Sequence, residues 1–251
     1  MDKGKNAKAR IQKKILGQIR RAVDDYGMIE EGDKIAVGIS GGKDSLTLLI
    51  ALNALQKFYP KKFELEAITL TLGIGNTDFS SVEELCNNLG IRYTIEETVI
   101  GKIVFEEMTD QNPCSLCANL RRGALHNTAK KLGCNKVALG HNKDDAIETL
   151  LLSMFYEGRI HSFSPVTYLD RKDIFVIRPL IYSEEKDING FIKSRDIQVV
   201  SSPCPINGIT KRNSAKNYLL ELQKDIPMVK ESIFGAIKRS GLNGWGVNKK
   251  I

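Results

Sequence analysis

The stretch Lys34-Ile35-Ala36-Val37-Gly38-Ile39-Ser40-Gly41-Gly42-Lys43-Asp44-Ser45 decides the fold. Its apolar first half predicts a strand over 34–39, and the residues after it predict a helix through Gln56. Between the two, paired glycines let the backbone turn sharply and approach a ligand, so that N–H groups at the start of the helix face an anion. Ser40 and Ser45 add hydroxyls, Lys43 a positive charge, and Asp44 a carboxylate able to recruit a metal ion. The string reads as a polyphosphate loop. It is neither Walker A, which needs four residues between its glycines, nor the G-x-G-x-x-G fingerprint.

Outward from this loop, strands are predicted at 65–70, 92–95, 136–139 and 174–177, with helices at 81–89, 117–132 and 144–155. Strands alternating with helices require crossovers, hence a parallel sheet. The fold class is α/β: a Rossmann-like doubly wound parallel sheet with helical N- and C-terminal appendages. We expect a basic N-terminal helix within 1–30, a nucleotide-binding domain over 31–182, and a C-terminal helical region over 183–251. In the first, Ile11, Ile15, Ile19, Val23 and Tyr26 share one helical face, leaving a basic side free for solvent or nucleic acid. In the last, Ser183 is expected to N-cap a helix to Ser194, and 211–238 to be helical with a break at Pro227.

The 251 residues, 42% hydrophobic and 27% charged, exclude disordered and fibrous classes. No apolar run reaches the roughly 20 residues of a membrane span, and MDKGKNAKAR has no apolar segment behind its charges, so a cytoplasmic protein without membrane contact is expected. Thirty-seven Lys and Arg against 30 Asp and Glu give +7, which suits a polyanionic partner.

Five cysteines in a reducing compartment call for metal or redox chemistry rather than disulfides. Cys114 and Cys117 form a C-x-x-C pair expected just before a helix, and Cys204 stands alone between Pro203 and Pro205. Three thiolates without an evident fourth fit a [4Fe–4S] cluster with one open iron. Persulfide or dithiol chemistry and a zinc site completed by His126 or His141 remain alternatives. Cys86 and Cys134 read as core or turn thiols.

Ser40 to Ser45 resembles the PP-loop of the ATP-pyrophosphatase superfamily, whose members cleave ATP between the α- and β-phosphates. Gly140-His141-Asn142-Lys143-Asp144-Asp145 resembles a second segment of that superfamily. With Cys114 to Gly123, Ile177-Arg178-Pro179-Leu180 and Cys204, these strings are similar to the tRNA 2-thiocytidine synthetases over most of residues 30–210. The second strand ends at Leu70-Thr71-Leu72 without the Asp common there.

The resemblance implies ATP, Mg²⁺ and a [4Fe–4S] cluster as cofactors, with Cys114, Cys117 and Cys204 as cluster ligands. It implies nucleotide binding by Ser40, Gly41, Gly42, Lys43, Asp44, Ser45, Gly140 and Asp145, and catalytic roles for Asp44, Arg121 and Asp145. It also implies a tRNA substrate and a sulfur donor such as a cysteine desulfurase or free sulfide; a homodimer stays open. Arg121, Arg122, Lys130, Lys131, Lys211 and Arg212 are expected to contact tRNA phosphates. A related nucleobase sulfurtransferase, an amide-forming ligase of the superfamily, and a non-enzymatic iron–sulfur or RNA-binding sensor are the alternatives.

Overall fold

The computed structural model describes all residues except 1, 76, 108–112, 202, 203, 205–210, 243 and 247–251, and leaves out the side chains of 2–5, 7 and 107. Pro203 and Pro205 therefore lie outside the described residues. The chain begins with helix α1 (Asp2–Tyr26), then β1 (Asp33–Gly38), α2 (Lys43–Gln56), β2 (Phe63–Leu70), α3 (Ser80–Leu89) and β3 (Arg92–Glu96). A single turn, α4 (Ile100–Lys102), widens into a π-type turn over Ile103–Glu107 before α5 (Pro113–Lys131). Then come β4 (Lys136–Ala138), α6 (Lys143–Glu157), β5 (Val166–Leu169), β6 (Ile174–Ile177), α7 (Glu185–Lys193), α8 (Lys211–Asp225) and α9 (Val229–Arg239).

The strands form one sheet in the order β3-β2-β1-β4-β6-β5, parallel throughout except for the antiparallel β5–β6 hairpin. Strand order reverses between β1 and β4. In an open doubly wound sheet that reversal opens a crevice beyond the carboxyl ends of the strands, where ligands bind. The loops at Ser40 and Gly140 both emerge there.

The expected apolar face of α1 is real: Ile15, Ile19 and Val23 are fully buried in a core that also holds Leu46, Leu49 and Leu52 of α2, Ile188 and Phe191 of α7, and Trp245. The Trp245 indole N–H donates to Phe163 O at 3.0 Å, tying the C-terminal segment to the sheet domain. Cys86 and Cys134 are buried, and burial pushes both thiols up to about 11, as core thiols require.

Three expectations need correction. Strand β5 has no counterpart in the reading above, because Val166–Leu169 is a short, half-exposed edge strand with little hydrophobic signal. Helix α5 begins at Pro113, not at Cys117; proline suits a first helical position, so both cysteines sit in the opening turns of the helix. Ser183 does not cap α7. That helix starts at Glu185, whose N–H donates to Asp144 Oδ2 at 2.8 Å, so a carboxylate from α6 does the capping.

Candidate active site

The phosphate loop is set by its own side chains. Ser45 Oγ donates to Gly42 O at 2.9 Å, while Ser40 N–H reaches Ser45 Oγ and Gly42 N–H reaches Ser40 Oγ, each at 3.3 Å. The hydroxyls expected to face a ligand thus also brace the turn. Gly42 occupies the N-cap of α2 and no side chain caps that end, so the helix's first N–H groups and its positive dipole end stay open to an anion.

Two glycines allow parts to approach that a side chain would separate. Gly41 has φ +78°, and a Cβ there would stand 2.6 Å from Val200 Cβ. The Val200 N–H donates to Gly41 O at 3.0 Å, fastening the segment that leads to Cys204 onto the loop. A Cβ on Gly140 would stand 3.0 Å from the backbone of Asp44 and Ser45, so the two ligand loops touch through their main chains.

Beyond Gly140, Asn142 and Asp145 make a reciprocal capping box for α6: Asp145 N–H donates to Asn142 Oδ1 at 3.1 Å, and Asn142 N–H to Asp145 Oδ2 at 2.9 Å. Asn142 also donates from Nδ2 to Asp44 Oδ1 at 3.0 Å, bridging the two loops. Lys43 Nζ lies 2.9 Å from Asp44 Oδ2 and 3.2 Å from Glu185 Oε1, and Lys216 Nζ lies 2.5 Å from Glu185 Oε2. Arg212 pairs with Asp145 Oδ1 at 2.5 Å and reaches Glu148 at 3.7 Å, while Lys230 pairs with Asp144 at 2.7 Å.

Burial raises the Asp145 carboxyl against the pull of Arg212. Burial and the neighbouring Asp145 charge push Glu148 up to about 7, with Arg212 opposing. Asp44 and Asp145 stand near enough for Asp44 to raise Asp145 electrostatically. The reading above missed Glu185, Lys216 and Lys230, which come from three separate helices and share no local motif. Arg212, expected on the tRNA-facing surface, pairs with two carboxylates while its side chain stays 43% exposed.

A cavity of about 270 Å³ opens beside the loop, lined by Ser40 and Gly42, by Leu70 to Leu72 at the end of β2, by Phe79, by Arg121, and by Val200 and Ser201. Arg121 makes no ion pair among the described residues and lines this space together with Ser40 and Gly42.

Cys114 is exposed, and Cys117 and Cys204 are half-buried. Burial raises the Cys117 thiol, Arg121 lowers it, and Cys204 and Cys114 raise it further, so all three thiols act within one electrostatic neighbourhood. Among the described residues no three Cys, His, Asp or Glu groups form a ready cage for a single metal ion. The three thiols from α5 and the 204 region are soft donors, which suits an iron–sulfur cluster in kind.

The PP-loop domain family profile matches residues 9–222. A tRNA-cytidine(32) 2-sulfurtransferase from Geobacter sulfurreducens is 41% identical over 90% of this chain and 89% of its own. One from Ralstonia pickettii is 38% identical over 91% of this chain and 73% of its own. Among solved structures, the U34-tRNA thiolase NcsA from Methanococcus maripaludis with its [4Fe-4S] cluster superposes with TM-score 0.76 at 25% identity, covering 93% of this chain and 79% of that one. With a phosphate loop and an Asn142 that bridges it to the second loop at one sheet edge, the chain belongs to the PP-loop family of ATP-utilising enzymes, among its tRNA-cytidine 2-sulfurtransferases.

Proposed function

We propose that this enzyme adenylates the C2 carbonyl oxygen of an anticodon-loop cytidine in tRNA and replaces that oxygen with sulfur. The carbonyl oxygen attacks the α-phosphate of ATP and pyrophosphate leaves. A sulfur nucleophile then adds at C2, and AMP departs with the former carbonyl oxygen. Adenylation is needed because an amide-like carbonyl oxygen is a poor leaving group and a phosphate ester of it is a good one.

Within this scheme the open N–H groups at the start of α2 and Lys43 hold the β- and γ-phosphates and take up charge as pyrophosphate leaves. Asp44 and Asp145 are the carboxylates suited to Mg²⁺, which supplies charge neutralisation on the phosphates. Leu70 to Leu72 and Phe79 offer the adenosine an apolar wall. Arg121 faces the same cavity from the cysteine helix and steadies the developing phosphate charge. Cys114, Cys117 and Cys204 would hold the [4Fe–4S] cluster, which supplies an iron without a protein ligand for sulfur delivery.

One observation carries this reading: the cavity beside the phosphate loop is walled by Arg121, one turn beyond Cys117, and by Val200 and Ser201, just before Cys204. The phosphate loop and residues flanking Cys117 and Cys204 therefore border one space, which supports bringing ATP activation and thiol chemistry together there. Anaerobic reconstitution followed by nucleotide chromatography and nucleoside mass spectrometry tests it, with AMP, pyrophosphate and 2-thiocytidine as the expected products.

A further inference from the structure

No residue of the motif Ile177-Arg178-Pro179-Leu180 lines the cavity beside the phosphate loop. Arg178 follows β6, and His141 follows β4 by three residues. The two strands are parallel neighbours with Ala138 paired to Ile177, and Leu139 N–H donates to Ile177 O at 3.0 Å. Both residues therefore leave the sheet side by side at its ligand-bearing edge, across the strand-order reversal from the Leu70–Leu72 cavity.

Phe163 joins them: its ring lies 5.0 Å from the His141 ring and 5.1 Å from Arg178 Cζ. Arg178 Nη1 donates to Ser164 O at 2.6 Å and to Thr167 Oγ1 at 3.2 Å. Its Nε is buried without a partner, as are His141 Nδ1 and His126 Nε2. No carboxylate pairs with Arg178 among the described residues. Among the described residues none pairs with Arg122 either, whose guanidinium bonds to Ala118 O and Asn119 Oδ1 of its own helix.

The phosphate loop differs in kind, because there Lys43, Lys143, Lys216, Lys230 and Arg212 each meet a carboxylate. A guanidinium taken out of water without a counter-ion is costly unless a ligand anion supplies one. Burial and then the cations of Arg178, Arg212 and Arg122 push His141 down to about 3, so its imidazole is neutral and able to donate one hydrogen bond. Burial and then Arg122 lower Arg178 only to about 10, which leaves it charged at neutral pH. The anion that fits here is not the triphosphate, which has its own loop across the crevice.

We propose that Arg178, with Arg122 beside it and His141 as a neutral donor, receives one phosphodiester of the tRNA next to the reacting nucleotide. Arg178 Nη2, the guanidinium nitrogen not committed to Ser164 or Thr167, donates to the phosphate, and fixing the backbone there sets where the unstacked base falls. The inference rests on the tRNA substrate proposed above.

Its test is tRNA binding by the full chain without ATP across a range of KCl, for the wild type, Arg178→Gln, Arg178→Lys and Arg122→Gln. Binding of a non-hydrolysable ATP analogue by the same proteins runs alongside. We expect Arg178→Gln to weaken tRNA binding about tenfold near physiological salt and to lower the log–log salt slope by about 0.7–0.9, the increment of one phosphate. The ATP-analogue affinity should stay within about twofold, and Arg178→Lys should keep the slope. Arg122 is exposed and braces no loop, so Arg122→Gln serves as a second, well-folded variant, with about a threefold loss expected.

Unchanged tRNA affinity and slope in both Gln variants would overturn the proposal. So would weaker inhibition by pyrophosphate with an intact tRNA slope, which would give the site to the leaving group. A wild type that binds no tRNA would overturn this inference together with the proposed function, whereas binding that ignores the variants removes this inference alone.

Discussion

The phosphate loop and the segments flanking the cysteines border one cavity but are built in opposite ways. Ser40 to Ser45 is a contiguous string that braces itself, with its serines bonded to its own backbone and its lysine answered by Asp44 and Glu185. The thiols come from the opening turns of α5 and from a distant segment whose Val200 N–H bonds to Gly41 O. A self-braced loop is preorganised before any ligand arrives, whereas a site assembled from remote segments depends on each anchor. Damage to the first should abolish ATP cleavage and leave the thiols alone. Damage to the anchor should reach both.

The largest effect belongs to the loop. Lys43→Ala is expected to lower AMP formation by about 10²–10³, the usual range for losing one charge-stabilising donor. Anaerobic cluster absorbance should be unchanged, and joint loss of both signals would break the distinction between the regions.

Next comes the anchor. Gly41→Ala places a Cβ against Val200 in a backbone conformation that favours glycine. About a tenfold or greater loss of nucleotide affinity is expected, on the order of 1–3 kcal/mol of strain. Calorimetric titration with a non-hydrolysable ATP analogue reads it. Adding Val200→Gly should recover part of the loss by removing the clash, and strict additivity of the two changes would show that the strap does not press on the loop.

A third comparison separates site thiols from core thiols. Cys117→Ser should strip most iron from reconstituted protein with little change in Tm. Cys86→Ser should bind iron fully and lose about 1–2 kcal/mol of stability, because a hydroxyl replaces a buried thiol. Iron analysis paired with thermal unfolding distinguishes them.

The smallest effect concerns Glu148. Its native carboxyl titrates near 7, above the usual carboxylate range, so between about pH 4.5 and 7 the folded state binds more protons than the unfolded state and stability falls as pH rises. Glu148→Gln should remove that slope and gain about 1 kcal/mol at pH 8 relative to the wild type, after allowance for solvent screening. Parallel denaturant-unfolding curves for the two proteins across this range would refute the assignment.

What the sequence made legible follows the same division. Strand β1, the glycine turn and α2 could be read residue by residue, because period, turn chemistry and helix start all fall within one short segment. The α1 face was equally clear from its spacing. Strand β5 escaped because an edge strand of four residues carries almost no pattern. The partners Glu185, Lys216 and Lys230, and the pairing of Arg212 with two carboxylates, escaped because an ion pair between helices leaves no periodic trace. Asp144 shows the limit well: the motif pointed to it, yet its roles in capping α7 and pairing with Lys230 depend on residues far along the chain.

The most direct measurement is product analysis of a single anaerobic reaction holding cluster-reconstituted protein, Mg²⁺, ATP, sulfide and unmodified tRNA. The account predicts AMP and 2-thiocytidine in equal amounts, formed only when tRNA is present. ADP as the main nucleotide product, or AMP released at the same rate without tRNA and with no thiolated cytidine, would contradict it.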